Sequence, residues 1–263
     1  MTSLTDDLKL YLGVLKRVTT IMTVGLLSPH SRERLLAIYN LEQAKNGLPE
    51  TPQDPYIIPK TDVFEILHLG NAEYEGVYEC GFGHTTEFEL KVISNLVKER
   101  NPQRIFELGT FLGRTTLNMA LNSSHDTQII TLDLPANQVD STEMEIELGE
   151  IRYVKKEVSG ERFLGHPAQS KITQLYGDSA TFDFSDLEHS IDFAFIDGSH
   201  AYDYVLNDSQ KVLSLMRPGG LILWHDYTNW AGVRSALNLL YESDPNFKNI
   251  KHIGGTSIAM LEV

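Results

Sequence analysis

Short apolar runs alternate with helix-like segments from residue 85 to the carboxyl end of the chain. The runs that predict strands are 104–108, 128–133, 172–176, 191–197, 221–225, 248–252 and 256–262. The segments whose apolar spacing predicts helices are about 86–100, 113–121, 202–216 and 232–242. Strands that alternate with helices form parallel sheets with right-handed crossovers. We therefore predict an α/β fold, with a mostly parallel sheet of seven strands and helices on both faces.

The amino-terminal part of the chain has a different pattern. Apolar residues at helical spacing predict one helix over 4–27 and a second over 31–46. Four prolines between residues 48 and 60 predict an extended connector, because proline lacks an N–H and disfavours a helix before it. The expected parts are a helical extension at 1–48, a proline-rich connector with an unassigned segment at 49–84, and the main domain at 85–263.

Another surface must cover the apolar stripe of the two amino-terminal helices. Two covers are equally open: the main domain, or a second copy of the chain, which would give a homo-oligomer. Attachment to a membrane surface is disfavoured, because the polar face is not strongly basic. A membrane span is not expected, because Lys9, Lys16 and Arg17 interrupt the apolar stretch. No secretory signal is evident and Cys80 is the single cysteine, so we expect a reducing, cytoplasmic location.

The formal net charge of -14 constrains the partner. An acidic surface repels phosphate backbones, and the sequence contains no dense basic patch, so nucleic acid is not an expected partner. A small-molecule partner, neutral or cationic, fits this charge.

The segment IFELGTFLGRTT (105–116) joins the first strand of the main domain to a helix. Gly109 permits a sharp turn and Gly113 a close approach of the helix start to a ligand. Glu107 precedes this turn, and Asp133 ends the next strand, where an acid can bind both ribose hydroxyls. A carboxylate at Glu107 would repel a pyrophosphate and attract a cation. The pattern therefore favours the ammonium and sulfonium of S-adenosylmethionine (SAM) over a dinucleotide.

Several segments in the same order resemble class I SAM-dependent methyltransferases, which have a Rossmann-like fold. FELGTFLGRTTLNMA (106–120) resembles their first motif, and LYGDSATF (175–182) resembles the segment that contacts adenine. FIDGSHAYDYVLND (195–208) and LMRPGGLILWHDY (215–227) resemble the bacterial methyltransferase-24 group, which is related to catechol-type and macrolide-sugar O-methyltransferases.

The resemblance implies which residues bind SAM. Those expected at its methionine and ribose ends are Glu107, Gly109, Thr110, Gly113 and Asp133. Asp178 and Ser179 are expected beside the adenine, and Asp197 close to the cofactor as well. The activity that it implies is methyl transfer, to the oxygen of a small-molecule acceptor.

Asp197 and the pair His225-Asp226 end two strands that should be neighbours, so their side chains can converge. In the related O-methyltransferases three polar ligands at these strand ends bind a divalent cation. Those families have Asp-Asn or Asp-Asp where this chain has His225-Asp226, and imidazole is a poor ligand for Mg²⁺ but a good one for Mn, Fe or Zn. Two alternatives stay open: a cation (Mg, Mn or Fe) held by Asp197, His225 and Asp226, or no metal, with His225 stabilising the strand end.

His200 follows Asp197 by three residues, where the catechol-type pattern has a basic lysine. Histidine can accept a proton near neutral pH, so Asp197 and His200 are the candidate catalytic residues. The alternative is that His200 packs on the following helix. The long insertion at about 135–170 is expected to cover the site, and its run EMEIELGE (143–150) is interpreted as a short solvated helix.

Three other functions remain open beside O-methylation. A metal-dependent hydroxylase of the same fold would use the carboxylate and histidine set for iron. A SAM-binding or interaction protein without turnover would use the amino-terminal helices for assembly. A nicotinamide oxidoreductase is disfavoured by Glu107.

Overall fold

The computed structural model describes residues 55–67, 72–76, 84–147 and 149–263. The predicted helices at 4–27 and 31–46 lie outside the described residues. The helices are α1 (Val63–Ile66), α2 (Glu87–Arg100), α3 (Arg114–Asn122), α4 (Ile151–Val154), α5 (Tyr202–Leu215) and α6 (Ala231–Ser243). The strands are β1 (Lys60–Thr61), β2 (Arg104–Leu108), β3 (Gln128–Asp133), β4 (Ile172–Tyr176), β5 (Ile191–Ile196), β6 (Met216–Trp224), β7 (Lys251–Ile253) and β8 (Ala259–Glu262).

Within this described part, the eight strands form one sheet in the order β1-β7-β8-β6-β5-β2-β3-β4. Neighbouring strands are parallel, except that β8 runs antiparallel to β6 and β7. The chain moves outward from β2 through β3 to β4 and then returns to β5 on the other side of β2. The strand order therefore reverses between β2 and β5, and ligands of such sheets bind at the carboxyl ends of the strands at this point.

Side chains that alternate along the strands build two hydrophobic cores, one on each face of the sheet. On β2, Phe106 and Leu108 face the core that includes α5 and α6, whereas Ile105 faces the core that includes α2 and α3. Both cores consist of buried aliphatic and aromatic side chains. Helices therefore cover both faces, and the predicted Rossmann-like α/β architecture is confirmed.

The strand bounds predicted for β2, β3 and β4 agree with the structure. The predicted count of seven strands was one short, because the connector contributes the edge strand β1. The backbone N–H of His252 donates to the carbonyl of Pro59 at 2.8 Å, and that of Gly254 donates to Thr61 at 2.9 Å. Extended backbone after a proline thus adds a short strand to the free edge of β7.

Other predicted bounds differ from the structure, most clearly those of β6 and of the run 143–150. β6 begins at Met216 and not at 221, because the Pro-Gly-Gly segment that ends α5 stays extended: Gly219 N–H donates to Val263, and Val263 N–H to Gly220. The run 143–150 does not form the predicted helix over its described residues, and α4 begins only at Ile151. None of the helices in the described ranges is long and apolar enough to span a membrane.

Candidate active site

A cavity of about 290 Å³ opens at the carboxyl ends of β2, β3, β5 and β6. Part of its wall comes from the insertion between β3 and β4. The predicted site residues that line it are Gly109, Asp133, Asp178, Ser179, Asp197, His200, His225 and Asp226. Three predicted residues, Glu107, Thr110 and Gly113, are not among the described residues that line it. The structure therefore brings most of the predicted set to one cavity, at the edge of the sheet where the strand order reverses.

The two glycines of the loop between β2 and α3 allow neighbouring parts of the chain to pack closely against this loop. Gly109 has a φ of +97°, and a Cβ there would lie 2.0 Å from the carbonyl oxygen of Asp197. Gly113 has a φ of +80°, and a Cβ there would meet the ring of Phe163 at 2.6 Å. Gly109 lets the loop pack against the end of β5, whereas Gly113 lets the insertion pack on the loop.

Glu107 lies behind this loop and not on the cavity wall. It shares the face of β2 with Ile105 and is 1% exposed. Its Oε2 accepts hydrogen bonds from the hydroxyl groups of Thr116 on α3 and, at 2.6 Å, Thr131 on β3. Burial raises the pKa of Glu107 to about 8, against the lowering effect of these hydroxyls. The expected direct contact of a charged Glu107 with a cationic ligand therefore does not fit this geometry, because strand alternation turns the side chain beneath α3.

Asp133 ends β3 at the cavity wall, as predicted, and the insertion supplies its partners. Lys156 Nζ lies 2.6 Å from Asp133 Oδ2, and the hydroxyl of Ser159 donates to the same oxygen at 2.5 Å. The insertion also bonds to the loop after β2, since Gly160 N–H donates to the carbonyl of Phe111 at 2.9 Å. The insertion therefore covers the Asp133 end of the cavity.

Asp178 and Ser179 follow β4 at the same end of the cavity. Asp178 Oδ1 accepts from the hydroxyl of Tyr204 at 2.8 Å and from Ala180 N–H at 2.9 Å. Its Oδ2 accepts from Glu143 N–H at 2.8 Å. These donors fix the carboxylate, and burial together with Asp178 raises the pKa of Tyr204. Thr110, which was predicted at the methionine and ribose ends of SAM, has its hydroxyl oxygen 2.6 Å from that of Thr131.

Asp197, His225 and Asp226 converge where β5 and β6 end. Within the part of the chain that the structure describes, they form a group whose ligand atoms all lie within 4.8 Å of one another. His225 Nδ1 is 3.1 Å from Asp197 Oδ1 and 3.2 Å from Asp226 Oδ2. Adjacent strand residues normally face opposite sides, but Asp226 has a φ of +63°, so the chain turns there and both side chains reach Asp197.

Glu89, on α2, holds the other side of His225. His225 Nε2 lies 3.3 Å from Glu89 Oε2, while Glu89 Oε1 accepts from the N–H and hydroxyl of Ser257 at 2.6 and 2.7 Å. Thr86, the N-cap of α2, donates its hydroxyl to Glu89 at 2.7 Å. Burial alone would lower the pKa of His225, but the charges of Asp197 and Asp226 outweigh it and raise the pKa well above its usual value.

His200 lies between two carboxylates. Its Nδ1 is 2.6 Å from Glu150 Oε1 and its Nε2 is 2.9 Å from Asp226 Oδ2. Its ring stacks on Trp230 with centroids 4.4 Å apart and planes 15° from parallel. Burial opposes the charged form, but Asp226 and Glu150 raise the pKa of His200 to about 10. With both ring nitrogens donating, His200 has no free lone pair for a substrate proton.

Three residues of this site were missed by the sequence interpretation: Glu89, Glu150 and Lys156. Glu89 had a local signal, since Thr86 and Glu89 have the spacing of a capping box. That spacing predicts a helix start, however, and not a contact with His225. Nothing in the run EMEIELGE separates Glu150 from its acidic neighbours, because only docking of the insertion buries it.

Comparison with known proteins shows similarity over the segment that contains most of the cavity residues. The profile of a family described as "Methyltransferase domain" matches residues 106–227. Caffeoyl-CoA O-methyltransferase 2 of Zea mays is 29% identical over 150 residues, which are 56% of this chain and 50% of that protein. The flavonoid 3',5'-methyltransferase of Vitis vinifera is 30% identical over 142 residues, 53% of each chain. The chain thus spans about half the length of these two curated relatives.

Among solved structures, the SAH-bound methyltransferase PaMTH1 of Podospora anserina superimposes with a TM-score of 0.51 at 15% identity. The match covers 68% of this chain and 80% of that one. This likeness supports the fold.

We expect Gly109→Ala to destabilise the protein far more than Gly165→Ala. Both glycines have a positive φ, so each alanine carries a backbone penalty of about 1 kcal/mol. At Gly165 nothing lies within 4 Å of the new Cβ, whereas at Gly109 the carbonyl of Asp197 must move. Urea unfolding should show a further loss of roughly 2 kcal/mol or more for Gly109→Ala. Equal losses in the two variants would contradict the close packing of this loop on β5.

We expect the stability of Glu107→Gln relative to the wild type to increase between pH 5 and 8. The unfolded chain loses the Glu107 proton near the ordinary pKa of 4.5, but the folded chain keeps it until about pH 8. The wild type therefore loses stability as pH rises through this window, by roughly 1 kcal/mol per pH unit, while the glutamine variant does not. Urea unfolding at pH 5, 6.5 and 8 measures the difference. If the free energies of unfolding of the two proteins change in parallel with pH, Glu107 is charged in the folded protein.

Proposed function

We propose that this chain, which carries a methyltransferase domain over residues 106–227, is a SAM-dependent enzyme that methylates a hydroxyl oxygen of a small molecule. The main support is the cavity at the carboxyl edge of the sheet. It combines the acid that ends β3, the acid that follows β4 and the cluster that ends β5 and β6. The net charge of -14 supports a neutral or cationic acceptor.

The donor set around Asp133 and Asp178 fits SAM. Asp133 would accept hydrogen bonds from the ribose hydroxyls in place of Ser159 and Lys156. Asp178 and Ser179 would lie beside the adenine, and Gly109 would let the loop approach the methionine end. Glu107, Thr110 and Gly113 would act indirectly: they would fix the backbone of this loop and would make no side-chain contact with SAM.

In the reaction the acceptor oxygen attacks the methyl carbon of SAM, the carbon–sulfur bond breaks, and S-adenosylhomocysteine leaves. The chain must hold the acceptor oxygen in line with that bond and take up its proton. Asp197 and Asp226 are suited to hold the hydroxyl and to accept its proton, since both carboxylates line the cavity. His200 is better suited to position Asp226 than to act as the base, because both of its nitrogens face carboxylates.

A divalent cation held by Asp197, His225 and Asp226 would lower the pKa of the acceptor hydroxyl. The donor atoms fit such an ion, since neighbouring ligands of a first-row metal lie roughly 3 Å apart and the distances from His225 Nδ1 are 3.1 and 3.2 Å. Glu89 at Nε2 leaves Nδ1 as the ligand atom, as carboxylates commonly do behind metal-bound histidines. The imidazole favours Mn²⁺ or Fe²⁺ over Mg²⁺.

The same donor set keeps a second candidate function open. Carboxylate and histidine are the ligand types of iron-dependent oxygenases, whose usual set is two histidines and one carboxylate, whereas this cluster has one histidine and two carboxylates. A metal-dependent hydroxylase of this fold is therefore the alternative. The two functions differ in their co-reactants. Methyl transfer consumes SAM without dioxygen, whereas hydroxylation requires dioxygen.

We expect calorimetry to show that the protein binds SAM, and that Asp133→Ala weakens this binding roughly 10- to 100-fold. The loss follows from removing the charged acceptor of the ribose hydroxyls. Asp140→Ala is the control, because it removes an exposed acid from the same insertion. Unchanged affinity in Asp133→Ala would reject the ribose assignment. Binding of a nicotinamide dinucleotide without binding of SAM would reject the proposed function.

We expect chelator treatment to lower S-adenosylhomocysteine release at least about tenfold, and Mn²⁺ to restore it better than Mg²⁺. The assay uses a catechol acceptor under anaerobic conditions, which exclude the hydroxylase. Calorimetry of His225→Asn should show a larger loss of affinity for Mn²⁺ than for Mg²⁺. Full activity of the stripped enzyme would exclude a metal. In a parallel aerobic assay, an oxygen-dependent product without S-adenosylhomocysteine would favour the hydroxylase.

A further inference from the structure

The insertion between β3 and β4 contacts both ends of the cavity. At the Asp133 end, Ser159 donates to Asp133, and Gly160 and Arg162 donate backbone hydrogen bonds to the loop after β2 at 2.9 Å. At the other end, Glu150 reaches the segment between β5 and α5. One continuous stretch of chain therefore connects the proposed cofactor site with the cluster at the ends of β5 and β6.

Glu150 is buried, at 4% exposure, and its carboxylate is fully engaged. Oε1 accepts from the N–H of His200 and lies 2.6 Å from its Nδ1. Oε2 accepts from the hydroxyl of Ser199 at 2.9 Å and from Glu147 N–H at 3.3 Å. A buried carboxylate needs such donors to offset its lost hydration. Glu150 and the segment that contains Ser199 and His200 therefore stabilise each other.

His200 transmits this contact to Asp226. Its ring donates from Nε2 to Asp226 Oδ2 at 2.9 Å and lies flat on Trp230. Asp226 Oδ1 accepts from the amide of Asn229 at 2.6 Å. Asp226 also has a left-handed backbone, with a φ of +63°, so its position depends on such side-chain contacts. Removing Glu150 would leave Nδ1 of His200 without its partner and free the ring to rotate.

We infer that Glu150 is a positioning residue, which fixes His200 and thereby Asp226 when the insertion covers the cavity. Coverage of the cofactor and alignment of the acceptor oxygen are then parts of one closed arrangement. This inference rests on the proposed function. It assigns to the insertion a role in the reaction step, beyond that of a cover.

The first test compares the steady-state kinetics of Glu150→Gln and Glu150→Ala with the wild type. A glutamine still offers one acceptor oxygen to His200, whereas alanine offers none. We expect kcat to fall modestly in Glu150→Gln and roughly 10- to 100-fold in Glu150→Ala, because a small misplacement of the acceptor slows transfer strongly. The KM for SAM should change less than about threefold, because the contacts of Asp133 remain.

Glu157→Gln is the matched control, since it removes an exposed acid from the same insertion and should leave kcat unchanged. A double-mutant cycle with His200→Gln tests whether Glu150 acts through His200. If Glu150 acts through His200, Glu150→Ala should cost nothing further in that background. Wild-type kcat in Glu150→Ala, or full additivity in the cycle, would overturn the inference. Loss of SAM binding together with kcat would also overturn it, because Glu150 would then only hold the insertion closed.

The second test uses tryptophan fluorescence to measure the contact between Glu150 and His200 in the protein without ligands. A stacked histidine ring quenches indole fluorescence, and the chain has two tryptophans, Trp224 and Trp230. Glu150→Ala should raise the emission of Trp230, and the rise should vanish when Trp230→Phe is added. Unchanged emission would show that Glu150 does not hold His200. If the wild type neither binds SAM nor releases S-adenosylhomocysteine, the proposed function fails, but this measurement still decides whether the link from Glu150 to His200 exists.

Discussion

Register between parallel strands is the constraint on which the site depends. Leu108, the last residue of β2, pairs with Ile196 on β5, and Ile196 pairs with Trp224 on β6. The residues that follow the three strands therefore emerge on one line at the edge of the sheet. Gly109 is required there because the carbonyl of Asp197 occupies the space of a side chain. Shifting any strand by one residue would turn the acids into a hydrophobic core.

That edge gathers several carboxylates in a partly buried space, and the structure offsets their repulsion with histidines. His225 lies among Glu89, Asp197 and Asp226, and His200 joins Asp226 to Glu150. Burial would raise the pKa of Asp226, but the two histidines lower it. Breaking such a cluster by removing one member leaves a buried charge without a partner. Each member therefore stabilises the others, and a cation bound at Nδ1 of His225 would take the place of the proton there.

The sequence predicted those features that local periodicity and strand ends determine. The bounds of β2, β3 and β4 followed from apolar runs, and the convergence of Asp197 with His225 and Asp226 followed from adjacent strands. Where the outcome depended on tertiary packing, the prediction was incomplete. Glu107 ends a strand, but only the position of α3 decides that its carboxyl is buried behind the loop. The role of Glu150 required the docked insertion, which has little periodicity of its own.

The sheet and the insertion contribute different parts of the site. The ends of the strands supply the acids of the proposed cofactor site and the cluster, and these lie within the segment that matches the methyltransferase family. Part of the remaining wall comes from the insertion, through Glu150, Tyr153 and Lys156. Loops tolerate change better than strands, and function resides in sites built on a shared fold. Under the proposed function, the sheet would carry the residues that act in methyl transfer, while the insertion, which contacts His200 through Glu150, would be the part that selects the acceptor.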